Sequence, residues 1–562
     1  MSDQQTGKIL RIGIIRQAKG LEDWQARCLE RLLSLDFVSV VLVIVDQSND
    51  GALNGKLTDF RTWISYFLSI LYFKFQAKIG SRKLVDYSEM FNNNLIIIKD
   101  ASKEGTSLKL STQDRKIVAD SHLDAILKFT SNPIDSDIID IPRYGTWSYC
   151  HSDHEKREDA SPCFWEIYNG DDVTGAALLR LTNKPNVNVV LKKGYFRTVK
   201  YSYSQNIDRI YYGTVQWPAQ VCVDIHNGIA RYLADTPVED NVQRHDIPNN
   251  VQILLFAIIL LRNMLVLGLR ALFRHDQWNI GVVRAPISIF LLPDRIPEII
   301  WYPLVHNRYQ CLADPFGIKR GDKITILCEE YDYRSDKGVI SVIEFSNVFS
   351  HQVSGVMKLP VHMSYPYLLE REGEIYCIPE TNRAQEVALY KAIEFPYSWV
   401  KECTLISNIV AVDPTIFQYQ GLWWLTCTDV RHNHDTDLLI FYAMDIMGPW
   451  KEHLQNPVKS DIRSARPAGT PFIQDAHLYR PAQDCSKVYG GRIMINHVTC
   501  LTKTEFREEL ASIVEPCNGT DFGLGIHTIS AAGEWTLLDG KRLLFVPNGL
   551  INMLKRIVRG KF

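Results

Sequence analysis

Four stretches of the chain repeat one design. ADPFGIKRGDKITILCEE starts at position 313, YPYLLEREGEIYCIPE at 365, VDPTIFQYQGLWWLTCTD at 412 and RPAGTPFIQDAHLYRP at 466. Each begins near a Pro, runs into an apolar strand, turns on Gly or acidic residues and returns as a second apolar strand. The steps are about 50 residues, a period typical of propeller blades built from several strands each. WNIGVV (278–283) and GIHTISAAGEWTLLDG (525–540) read as partial units. The count predicts a five-bladed β-propeller over residues 275–541.

The chain ahead of this array has a different texture. ILRIGII (9–15) is a β-branched strand, and LEDWQARCLERLLSL (21–35) places apolar residues at helical spacing with acids in its first turn. VSVVLVIVD (38–46) is a continuous apolar strand of the kind buried on both faces of a parallel sheet. Strand, helix, strand opens a doubly wound α/β domain, placed at residues 1–245. No GxGxxG follows the first strand, which excludes the usual dinucleotide fingerprint. WISYFLSILYFKFQAKIG (63–80) is a helical, aromatic-rich insert. Residues 246–274 are predicted to form a linker helix around VQILLFAIILLRNMLVLGLRALF (251–273). Arg262 and Asn263 interrupt that run, so a buried or interfacial helix is expected rather than a spanning one. Residues 542–562 hold five basic residues and no acid. They read either as a tail on an anionic membrane surface or as a helix docked on the body.

A net charge of −2 over 562 residues excludes a general nucleic-acid binder. The twelve Cys form no CxxC pair and read as buried thiols of a reducing compartment. The N-terminus carries no secretory signal, so a cytoplasmic protein is expected, in contact at most with the inner face of the membrane.

The tract from 143 to 198 contains FWEIYNGDDVTGAALLRL. It resembles the formyltransferase domain of the methionyl-tRNA and sugar N-formyltransferases, and that resemblance implies N-formyl transfer with 10-formyltetrahydrofolate as donor. His151 falls where that family has its catalytic His. Tyr149 stands where it has an oxyanion-binding Asn, and Asn186 lies near the place of its Asp. Asp153 is the expected carboxylate partner of His151, in a His-x-Asp pattern followed by PCFWE, with Trp165 and Glu166 as supports. The plainer reading makes His151, His154 and Glu155 part of a solvated charged loop. His151, Asp153 and His154 offer suitable metal-ligand types, but neighbours in sequence rarely converge on one ion, so no metal is expected.

The propeller resembles the five-bladed fold of glycoside hydrolase family 43-like proteins. Through LADPF, YPYLLEREGEIYCIPE and VDPTIF it is also similar to the propeller-like N-terminal domain of plant glucosamine inositolphosphorylceramide transferases. The hydrolase resemblance implies three acids meeting at the axis. Asp314, Glu380 and Asp413 are the candidates, at blade starts, and Arg466 is a candidate clamp for a carboxylate or phosphate. Their order differs from the hydrolases' Asp, Asp, Glu. The other reading has these residues satisfying turns. The expected function is a transferase acting on an amino sugar, nucleotide sugar or glycoconjugate, with formyl transfer in the first domain and glycan binding in the propeller. The alternatives are a glycosyltransferase or glycan-processing enzyme with its acids in the propeller, and a non-catalytic glycan-binding protein of an envelope polysaccharide pathway.

Overall fold

A computed structural model describes residues 9–47, 60–76, 80–86, 96–99, 108–134, 136–153, 157–159, 161–184, 187–239, 243–245, 247–292, 298–303, 308–431, 433 and 435–546. The chain divides into two compact units, Met1–Met264 and Leu265–Phe562.

The first unit is built on one mixed sheet. β1 (Leu10–Gln17), β2 (Val38–Asp46), β3 (Ile96–Lys99), β4 (Ala125–Lys128) and β5 (Thr146–Cys150) pair in parallel in the order β3-β2-β1-β4-β5. The order reverses beside β1, which makes the sheet doubly wound. β6 (Val173–Arg180), β7 (Val187–Arg197) and β8 (Val238–Glu239) extend the β5 side in antiparallel fashion.

Parallel strands need cover on both faces, and alternate side chains supply two cores. Ile12, Ile14, Val43 and Val45 pack with Trp24 and Leu29 of α1 (Asp23–Leu33). Ile15, Leu42, Ile44 and Ile126 pack on the other side with Val118 of α3 (Thr112–Asp120). The aromatic insert forms α2 (Phe60–Gln76). α4 (Phe164–Asn169), α5 (Tyr203–Thr214) and α6 (Trp217–His226) add Phe164, Ile207 and Val221 to the first core. The expected linker is one helix, α7 (Asn250–Phe273), long and apolar enough to cross a membrane by length and composition.

The second unit holds five antiparallel sheets. Four are single consecutive blades, whose first strands are Gln310–Arg320, Ser364–Arg371, Ala411–Tyr419 and Phe472–Gln474. The fifth joins the two ends of the array. Arg274–Val283 pairs residue for residue with Trp535–Phe545, flanked by Ile299–Trp301 and Ile529–Ala532. Three blades turn from first to second strand through two residues with positive φ: Glu372-Gly373, Gln420-Gly421 and Asp475-Ala476. Such turns match the right-handed twist of the strands they join. The propeller reaches Phe545, past the expected boundary at 541. The rest of the expected tail, 547–562, lies outside the described residues.

The blades interlock where their first strands meet. Gly469 adopts φ +120°, and its N–H donates to Tyr365 Oη at 2.7 Å. A Cβ on Gly469 would stand 1.6 Å from the carbonyl oxygen of Ile529, which is backbone and has no room to move. Gly469→Ala is therefore expected to cost at least about 2 kcal/mol. Gly268→Ala in α7 meets nothing within 4 Å. It is expected to be neutral or to stabilise by up to about 1 kcal/mol, as Ala outranks Gly in a helix. Chemical denaturation of both variants checks the pair.

Candidate functional site

His151 follows the last residue of β5. Its ring centroid lies 4.1 Å from that of Tyr211, 5.1 Å from Trp24 and 5.2 Å from Tyr149, nearly parallel to the last. The residue keeps some surface, but Nε2 is enclosed and has no hydrogen-bond partner. Burial pushes the imidazole down to about 3, and the Arg82 cation acts in the same direction. A carboxylate sharing its proton would have raised it, so the expected His151–Asp153 proton pair is replaced by a neutral ring in an aromatic box.

Asp153 is buried beside β6: a Cβ on Gly175 would come within 2.8 Å of its Cα. Tyr149 does not act as an oxyanion donor in place of the family's Asn. Its hydroxyl donates to the Thr214 carbonyl at 3.1 Å and contacts Cys28 Sγ at 3.5 Å, which ties it to the body of the domain. Trp165 and Glu166 are buried in α4. Asn186, His154 and Glu155 lie outside the described residues.

The propeller axis is a different environment. Three first strands break register at an X-Pro step: Asp314-Pro315, Tyr365-Pro366 and Asp413-Pro414. Proline has no N–H to give the ladder, so each step forms a bulge. The residue before each Pro has positive φ, at +51°, +43° and +50°. A non-glycine residue held there is strained. In each case its amide donates to a carboxylate of the preceding blade. Asp314 N reaches Asp539 Oδ2 at 3.2 Å, Tyr365 N reaches Asp314 Oδ2 at 3.3 Å, and Asp413 N reaches Glu380 Oε2 at 3.0 Å.

The candidate acids therefore do converge, by a route the sequence reading placed differently. Glu380 is not at a blade start. It ends the second strand of its blade, opposite Ser364. Glu329 sits opposite Ala313 in the same way one blade earlier. Glu329, Tyr365, His527 and Asp539 escaped the sequence reading. The signal for the first two was present, since CEE and IPE close equivalent strands and Tyr365 aligns with Asp314 and Asp413 ahead of Pro.

His527 lies between two carboxylates, with Nδ1 at 2.6 Å from Asp539 Oδ2 and Nε2 at 3.3 Å from Asp314 Oδ1. Asp539 also accepts the amides of His527 and Thr528 at 2.9 and 3.1 Å, and Asp314 accepts the Thr528 hydroxyl at 2.6 Å. Ligand atoms of Asp314, His527 and Asp539 fall within 4.8 Å of one another, a metal-like cluster. The Asp539 and Asp314 oxygens accept these backbone and hydroxyl donors, whereas the short approach of His527 Nδ1 to Asp539 is a charge contact without hydrogen-bond alignment. Arg466 does not face outward as a clamp. Its Nε meets Asp413 at 2.6 Å, one terminal nitrogen meets Asp435 at 2.8 Å, and the other reaches the Tyr489 hydroxyl at 3.3 Å. Gln483 donates to Asp413 as well, at 2.7 Å.

Crowded acids in a dry setting resist ionisation. Burial and then the Asp413 charge push Glu380 up to about 8. Asp314 rises to about 6, mainly by burial, with Asp413 and Asp539 adding to the shift and His527 opposing it. Glu329 is held well above the ordinary range by burial and then by Asp314 and Glu380. Burial works against the His527 cation, yet Asp539 and Asp314 more than compensate and its pKa rises. Burial and like charges thus favour a proton on Glu380 at a pH where Asp314 is already ionised. Two carboxyls pushed apart in this way have the proton affinities that acid and base roles require.

The same shift carries a stability signature. The folded state keeps a proton on Glu380 that the unfolded chain releases near pH 4.5, so stability falls as pH rises from there to about 8. Glu380→Gln, whose side chain mimics the protonated form, is expected to flatten that decline; the Asn382 amide, now 2.9 Å from Glu380 Oε1, can rotate to match it. Denaturation midpoints of both proteins between pH 5 and pH 8 test this, and equal slopes refute it.

Residues 306–521 match the family described as glucosamine inositolphosphorylceramide transferase 1, N-terminal. Two plant proteins named glucosamine inositolphosphorylceramide transferase 1 are similar to the chain. That of Oryza sativa subsp. japonica is 35% identical over 254 residues, and that of Arabidopsis thaliana is 33% identical over 260 residues. Each alignment covers 42% of this chain and 34% of the relative, so the chain spans about a third of the length of the curated relatives it matches. Among solved structures, a family 117 glycoside hydrolase of Zobellia galactanivorans aligns with a TM-score of 0.31 at 15% identity, covering 48% of this chain and 91% of the hydrolase. The family match falls entirely within the propeller unit.

Proposed function

We propose that the propeller axis is the active centre of a transferase acting on a glycoconjugate. What supports this is the group of buried acids Asp314, Glu380 and Asp413 at the axis, with the Asp413 amide on Glu380 and Glu380 pushed further up than Asp314, inside the stretch matched to the transferase family. In this reading Glu380 protonates the departing group and Asp314 takes the proton of the acceptor hydroxyl. His527 and Asp539 hold Asp314 in position, and the Arg466 pairs with Asp413 and Asp435 fix the opposite wall. The relatives' name points to a glucosamine-type sugar and an inositolphosphoryl lipid as the substrate classes to try.

The test supplies nucleotide-linked hexosamines with an inositolphosphorylceramide acceptor and follows sugar transfer to the lipid. Turnover is expected to peak between about pH 6 and pH 8, bounded by the two carboxyls. Asp314→Asn and Glu380→Gln are each expected to lower it about 100-fold or more, the usual worth of a positioned acid or base. Transfer that persists in both variants refutes the assignment.

A second reading concerns the first unit. The fit of Gly175 against Asp153 packs the Thr-Gly step of β6 against the turn that carries His151, which supports the formyltransferase reading. Under this reading the first unit formylates an amino sugar from 10-formyltetrahydrofolate, with His151 acting as a neutral imidazole. Release of tetrahydrofolate in the presence of nucleotide-linked amino sugars, lost in His151→Ala, is the expected result. No release with any amine removes the reading and leaves the propeller assignment untouched.

A further inference from the structure

α7 is apolar all round, yet only one stripe of it is covered. Ile253 and Phe256 are buried in the core of the first unit, and Ile259 and Leu260 pack against it. Asn263 continues this side, donating through Nδ2 to the Lys200 carbonyl at 2.9 Å. On the other side Leu254, Ile258, Leu261 and Leu265 are each more than half exposed. A helix with no polar face is ordinarily buried throughout. α2 meets α7 through Tyr72 and Phe256, whose rings are 6.1 Å apart, and through the Leu68 amide, which donates to Asn250 Oδ1 at 2.9 Å. α2 has exposed apolar residues of its own at helical spacing: Phe67, Leu71 and Phe75, exposed by 43%, 57% and 63%.

The charges that these two helices carry have one sign. From Asn250 to His275 the chain carries Arg262, Arg270 and Arg274 and no acid; α2 carries Arg61 and Lys74 and no acid. Arg270 is partly engaged by Asp276 at 3.4 Å, whereas Arg262 and Lys74 are exposed.

We propose that the outer faces of α7 and α2 dock this protein onto an anionic lipid bilayer, with α7 lying in the interface. The apolar stripes enter the headgroup–acyl boundary, and Arg262 and Lys74 reach back to lipid phosphates. α7 does not span the bilayer in this arrangement. Its first half is fixed to a folded domain through Ile253, Phe256 and Asn263, which leaves too short a free apolar length. The inference stands on these two helices and is independent of which unit performs chemistry.

Flotation of the full chain with phosphatidylcholine vesicles, with and without phosphatidylserine, tests it. The protein is expected to float with the anionic vesicles and to be released by high salt. The triple variant Leu254→Glu, Ile258→Glu, Leu261→Glu is expected to lose about tenfold or more in binding while keeping its circular dichroism and melting temperature. Should that variant misfold, Lys74→Glu with Arg262→Glu is expected to weaken binding to anionic vesicles without touching the apolar stripe. Three results overturn the proposal. One is failure of the wild type to float with either vesicle. Another is a concentration-dependent dimer, abolished by the triple variant, in a protein that ignores lipid. The last is resistance to alkaline carbonate extraction from cell membranes, the mark of a spanning helix.

Discussion

The propeller is held at its centre by backbone amides that donate to carboxylates of the blade before. Each of these amides belongs to a residue strained by the proline that follows it, at a cost of about 1–3 kcal/mol. A hydrogen bond to a charged acceptor contributes about 1.5–3 kcal/mol, and one to a protonated acid such as Glu380 about 0.5–1.5 kcal/mol, which offsets much of that strain. The acids at the axis thus serve the fold in their own right. Asp314 both receives the Tyr365 amide and lies beside His527, so a substitution there disturbs the contacts of two other blades at once.

Burial alone does not make a carboxyl unusual. Glu508 is as enclosed as Glu380, yet it is drawn down to about 2, because Arg480 and Lys459 outweigh its loss of water. That trio is a structural ion cluster with its charges matched. At the axis Arg466 is taken up by Asp413 and Asp435, and its pull on Glu380 is outweighed by burial and the Asp413 charge. The contrast lies in pairing, and it separates a carboxyl that anchors strands from one that holds a proton near neutral pH.

The architecture was legible because periodic patterns survive in a single chain. The X-Pro recurrence marked four blades, and the alternating strand, helix and strand at 9–46 marked the parallel sheet. What spacing could not convey was register across strands. The pairing of Ser364 with Glu380 brings a residue from a second strand to the axis, and the matching pair Ala313 and Glu329 stayed hidden for the same reason. His527 and Asp539 come from the blade that joins both ends of the array, where the repeat is split and its pattern broken. At His151 the sequence located a strand end but not its company. Trp24 and Tyr211 come from α1 and α5, far along the chain, and they decide that the ring is neutral.

The blade that joins the two ends of the array also orders events during synthesis. Arg274–Val283 emerges from the ribosome first among the propeller strands, and its partner Trp535–Phe545 emerges last. Until then the early strand has an open edge along its whole length, and the Asp539 carboxylate that receives the Asp314 amide has not been made. A nascent chain can therefore stack its middle blades but cannot finish the axis. The cluster of Asp314, His527 and Asp539 is therefore complete only when the propeller closes.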